Sequence, residues 1–114
     1  GVYFLYDSIG TSTGSASSDR WQTVCASNGT RSFFETSTDV GINPTNLRIT
    51  VNADGTAATF YIDGVSQRAE TANIPIGKTR KCGFGVFIIK SAGTTSRTVY
   101  LDYLEAICRF NTSR

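Results

Sequence analysis

The sequence contains no histidine, so the usual general base near neutral pH, the usual proton shuttle and the commonest zinc ligand are all missing. That argues against serine triads and zinc hydrolases. Only three cysteines occur, Cys25, Cys82 and Cys108, and none stands in a C-x-x-C pair, which leaves no zinc knuckle, no thioredoxin-type centre and no disulfide-caged secreted scaffold. At least one must stay unpaired within the chain. A buried free thiol is the ordinary reading, and a Cys82–Cys108 bridge is left open. No apolar run approaches the roughly 18 residues of a membrane helix, and no basic-then-apolar leader opens the chain, so the sequence reads as a soluble protein with no membrane insertion. Gly1 directly precedes an apolar run, which reads as processing, truncation or an upstream segment. Eleven basic and nine acidic residues give a net charge of +2, too balanced for a non-specific nucleic-acid binder. There is no phosphate loop, EF-hand spacing or nucleophile elbow, and therefore no cofactor or metal is expected.

What remains points to strands. At 114 residues the chain is one domain, 1–114, able to remove roughly 65% of its unfolded surface from water. Ser, Thr, Gly and aromatic residues dominate, with only two prolines, which favours strands joined by small-residue turns. Val2 to Tyr6 is a short apolar strand, followed from Asp7 to Asp19 by a Ser/Thr/Gly loop. Arg20 to Ala26 and Thr30 to Glu35 form a hairpin about Asn28-Gly29. Asn46 to Asn52 alternates cleanly, with Leu47, Ile49 and Val51 on one face and Arg48, Thr50 and Asn52 on the other. Asp54-Gly55 and Asp63-Gly64 read as tight turns flanking Ala57 to Asp63, and Ser66 to Glu70 returns. Ile74-Pro75-Ile76-Gly77 and the basic Lys78 to Lys81 read as a surface connection. Gly83 to Lys90 and Arg97 to Arg109 read as the last two strands, joined by the loop Ser91 to Ser96. Turn signals about every ten residues fit a two-sheet β-sandwich.

One feature exceeds what a sandwich core consumes. In the last strand Val99, Leu101, Tyr103 and Ile107 share one face, and Tyr100, Leu104, Ala106 and Cys108 the other, so both faces are apolar. The preceding strand sets Phe84, Val86 and Ile88 against Phe87 and Ile89, and Tyr61 lies opposite Phe60 and Ile62. Tyr61, Phe87, Ile89, Tyr100 and Leu104 are therefore candidates for a subunit interface or a ligand platform, unless loops cover them. Aromatic rings stack on sugar faces, which makes Trp21, Tyr61 and Tyr100 candidates for glycan stacking, although Trp21 reads equally as core.

Catalysis in a chain without histidine would need paired carboxylates across a cleft. Asp102 and Glu105 are nearest, but three residues apart on a strand they face opposite ways. Asp54 and Asp63 occupy turn positions, where Asp serves its own backbone. No catalytic residue is assigned. Asn28-Gly29-Thr30 and Asn111-Thr112-Ser113 match the glycosylation acceptor pattern, which matters only in a eukaryotic secretory route.

The run Leu47-Arg48-Ile49-Thr50-Val51-Asn52-Ala53-Asp54-Gly55-Thr56, continued by Thr59-Phe60-Tyr61-Ile62-Asp63-Gly64, resembles the central hairpin of concanavalin A-like, laminin-G-like jelly rolls. Asn73 to Gly77 and Lys90 to Tyr103 resemble a subset of these domains in tailed-phage virion proteins, of the fibre, spike or capsid-decoration type, and residues 1 to 108 align in style. The resemblance implies an antiparallel two-sheet jelly-roll β-sandwich in which the strands ahead of Val2 to Tyr6 are missing. It further implies a non-enzymatic virion structural protein that assembles with other virion subunits, as a homo-oligomer, through an apolar sheet face and an open edge. A carbohydrate-binding module for host-surface glycan is the alternative, and a glycan hydrolase a distant third, because catalytic relatives carry a carboxylate pair that this chain lacks.

Overall fold

The computed structural model describes residues 1–7, 19–75, 83–89, 93–96 and 98–107, and no helix occurs among them. The strands, in chain order, are β1 (Val2–Leu5), β2 (Arg20–Ser27), β3 (Thr30–Asp39), β4 (Leu47–Val51), β5 (Ala58–Ile62) and β6 (Val65–Glu70). They form two antiparallel three-stranded sheets, β1-β2-β3 and β4-β5-β6. The chain divides into two compact units, Gly1–Arg80 and Lys81–Arg114, and all these strands belong to the first.

Turn chemistry sets the register. Asn28 and Gly29 both take positive φ, 51° and 80°, so a two-residue turn joins the paired residues Ser27 and Thr30. Asp63 and Gly64 repeat this at 50° and 82° between Ile62 and Val65. The Asp54-Gly55 connection is wider than the tight turn expected. The Asn52 N–H donates to the Ala57 carbonyl at 3.0 Å, and the Asp54 carboxylate accepts from both the backbone N–H and the hydroxyl of Thr56, at 3.0 and 2.7 Å. Side-chain oxygens thus take the donors that a tight turn would give to the ladder.

β3 runs on to Asp39, past the expected end at Glu35, because it carries a bulge opposite Trp21. The Thr36 hydroxyl donates to the Trp21 carbonyl at 2.8 Å and accepts the Thr38 N–H at 3.3 Å, which supports the displaced backbone.

Side chains of both sheets meet in a small core. Cys25, Ala58, Phe60 and Ile74 are buried, with Val2, Phe4 and Ile49 packed against them. The Phe4 and Phe60 rings, one from each sheet, meet edge to face at 5.3 Å. In β4 the alternation expected from the sequence is followed over the first four residues, Leu47 and Ile49 half-buried and Arg48 and Thr50 exposed, but it fails at Val51, which is exposed at the end of the strand beside the Asp54-Gly55 connection. Ile74 departs from the surface connection expected there. Asn73, at φ 55°, donates its amide to the Ser32 hydroxyl at 2.6 Å and so holds the chain against β3, turning Ile74 inward.

In Lys81–Arg114 the strands expected over 83–90 and 97–109 do not form at the described residues 83–89 and 98–107, which lie in no strand and are all exposed. Alternation makes a segment competent for a ladder, but a hairpin with no further strand or covering face is marginal in water. The expected loop does contain a turn glycine, Gly93 at φ 82°. The Ser/Thr loop over 8–18, the basic cluster Lys78 to Lys81, Cys82, Cys108 and Asn111 lie outside the described residues.

Candidate functional site

Among the described residues the densest concentration of unpaired recognition chemistry lies in 83–89 and 98–107. Phe87 is 86% exposed, Ile89 91%, Tyr100 93% and Leu104 54%. Val86 and Ile88, which alternate with the first two, are less exposed at 50% and 51%, so the two-residue period of the sequence survives as a period in exposure. Phe84, Val99, Leu101, Tyr103 and Ile107 are exposed as well. Charge is nearly absent: Asp102 and Glu105 are the charged residues of these segments. The Tyr103 hydroxyl is hydrogen-bonded to Glu105, two residues on, and this bond, then desolvation and the Glu105 charge, push the Tyr103 hydroxyl above its usual range. Glu105 thus serves a neighbouring phenol. This is chemistry for binding an apolar or aromatic-rich surface.

Tyr61 has a different setting. Five residues on either side of the loop, β4 and β5 pair so that Arg48 stands opposite Tyr61, and the Arg48 guanidinium carbon lies 4.1 Å from the ring centroid. One ring face is therefore occupied by a cation. Thr50 and Thr59, also paired, extend the same outer face of the sheet. Arg48 was not singled out from the sequence, yet the pairing of Leu47 with Ile62 dictates it.

Trp21 is half-buried on the inward face of its sheet. Its ring packs edge-on against Phe4 at 6.2 Å and lies 6.3 Å from Tyr6, on the face of its sheet that carries Phe4 and Thr23. Its indole N–H and the Thr23 hydroxyl are buried with no hydrogen-bond partner. Trp21 and Tyr61 thus sit in separate sheets of the first unit, one facing inward and one outward, and do not form a common platform.

A polar group also enters the core. Glu70 is buried on β6 and accepts from the Arg68 guanidinium at 2.7 Å, while the same guanidinium lies 4.8 Å from the Phe34 ring. Nearby Cys25 is a fully buried free thiol whose pKa is raised, first by burial and then by the Glu70 charge, with the N-terminal ammonium acting weakly the other way. That ammonium donates to the Ala26 carbonyl at 2.6 Å. The cluster ties together β2, β3 and β6. No group of three or more His, Cys, Asp or Glu side chains able to hold a metal occurs among the described residues.

Comparison with family models, with curated proteins and with solved structures finds no match to this chain.

Proposed function

We propose that the chain is a non-enzymatic structural protein of a phage virion, a concanavalin A-like jelly roll of the capsid-decoration or tail fibre or spike type, which assembles with neighbouring virion subunits, as a homo-oligomer, through apolar strand surface and an open sheet edge. The observation that carries this reading is the exposure of Phe87, Ile89, Tyr100 and Leu104 together with the other apolar residues of 83–89 and 98–107. Surface of that kind is unusual on a protein that works alone, and it marks places where another chain sits. Two antiparallel sheets with a shared core are compatible with the jelly roll. No nucleic acid, membrane insertion or cofactor enters the proposal, and it places the protein in the virion.

Native mass spectrometry with light scattering of the full chain is the test. A concentration-dependent oligomer is expected, and a monomer at all accessible concentrations would sink the reading. The alternative, a carbohydrate-binding module, is favoured by one observation, the nearly free ring of Tyr100. Binding on a glycan array that survives Phe87→Ala but is lost in Tyr100→Ala, or in Tyr61→Ala, would replace the assembly reading.

A further inference from the structure

Residues 83–89 read Gly-Phe-Gly-Val-Phe-Ile-Ile, with no charge and no proline, and both of their alternating faces are apolar. A docking patch on a monomer needs only one apolar face. A segment apolar on both is built to be an inner strand, paired along its edges and covered above and below. Eleven large apolar residues of 83–89 and 98–107 stand exposed, whereas apolar residues on the surface of a monomer are ordinarily scattered singly.

The same chain carries a matching acceptor. Among the described residues the sheet orders make β1, β3, β4 and β6 edge strands. Charges guard three of them: Arg31, Glu35 and Asp39 on β3, Arg48 on β4 and Arg68 on β6. β1 is Val-Tyr-Phe-Leu, with no charge and no proline, and all four residues are half-buried. Among the described residues β1 pairs with β2 alone, which leaves the backbone donors and acceptors of its other side without a ladder partner there.

We propose that residues 83–89 of one copy of this chain add as a strand to the β1 edge of a second copy, and reciprocally, so that a two-fold symmetric exchange closes both edges. This rests on the assembly reading above and gives it a partner and a contact. A second copy is the occupant because β1 is the uncharged one among the edge strands described and 83–89 the described uncharged apolar run that stands in no sheet, so that reciprocal addition leaves neither over.

The test uses the full chain with Cys82→Ser and Cys108→Ser. An isotopically heavy Phe87→Cys copy is mixed with a light Leu5→Cys copy and treated with a short bismaleimide. Heavy–light linked dimers at positions 5 and 87 are expected. In the same background, Phe87→Asp with Ile89→Asp should raise the dissociation constant at least tenfold, and Phe87→Ala should raise it less, while Trp21 fluorescence reports that the first unit stays folded. An associated chain that gives no heavy–light link between positions 5 and 87, or an oligomer indifferent to all three substitutions, overturns strand exchange and leaves the assembly reading standing. A parent chain that never associates overturns both.

Discussion

In Gly1–Arg80 the largest fully buried side chains are Phe60, Gln22, Val24, Thr23, Thr36 and Cys25, as many polar as apolar, while every large apolar residue described in Lys81–Arg114 is exposed. The more apolar stretch of sequence is thus the less buried one. Burial follows from having an opposing surface: two-residue turns at Asn28-Gly29 and Asp63-Gly64 bring strands into pairs, and the paired sheets then cover even hydroxyls and a carboxylate. Residues 83–89 and 98–107 have better strand composition than β3, but no ladder at the described positions.

The widest separation between the two regions should appear on truncating one phenylalanine in each. Phe60 is fully buried between the sheets, so Phe60→Ala should cost about 3–5 kcal/mol, read as a shift of the Trp21 fluorescence transition in denaturant. Phe87→Ala should move that transition by less than about 0.5 kcal/mol under conditions where the chain is monomeric. Equal losses would abolish the contrast.

A smaller effect of opposite sign is expected at Thr23. Its hydroxyl is buried without a partner, so Thr23→Val, nearly the same shape, should stabilise the first unit by about 1 kcal/mol in the same titration. A loss of stability would mean that the hydroxyl is satisfied and the interior less polar in its demands than the contrast requires.

Much of this was legible in the residues. The all-β class, the hairpin at Asn28-Gly29, the alternation of Leu47 and Ile49 and the return through Asp63-Gly64 all follow from local turn and period rules, and those rules act within about ten residues. The bulge at Thr36, the inward turn of Ile74 and the Arg68–Glu70 pair under Phe34 were not legible, because each depends on contacts between strands distant in sequence. At the candidate surface, the apolar character of Phe87, Ile89, Tyr100 and Leu104 could be read directly. Whether Trp21 faced in or out could not, since period 2 names two faces without saying which is covered.

Glycine substitutions sharpen the comparison at the level of the backbone. Gly29 holds φ at +80° with open space where a Cβ would stand, so Gly29→Ala should cost about 1–2 kcal/mol through backbone strain alone. Gly83 has equally open space and no positive φ, so Gly83→Ala should leave the Trp21 transition within about 0.5 kcal/mol of the parent. Matching losses at both sites would show that the second unit constrains its backbone as tightly as the first.

The smallest and most specific effect is carried by Cys25, which has no counterpart among the described residues of the second unit. Burial, and then the Glu70 carboxylate, raise its pKa, so the folded state holds the thiol proton more tightly than the unfolded chain does. The stability this contributes is complete below the ordinary thiol range of about 8.5 and is lost as pH rises through the higher folded value. In a chain carrying Cys82→Ser and Cys108→Ser, the stability read from denaturation followed by Trp21 should fall more steeply from about pH 8 upward than in the same chain with Cys25→Ala, whatever that substitution costs at neutral pH. The remaining thiol should also react with a disulfide reagent only as fast as the first unit opens. Parallel pH slopes would mean that Cys25 titrates as it does in water, and the interior built by β2, β5 and β6 would then not be the sealed one that separates Gly1–Arg80 from the exposed segments.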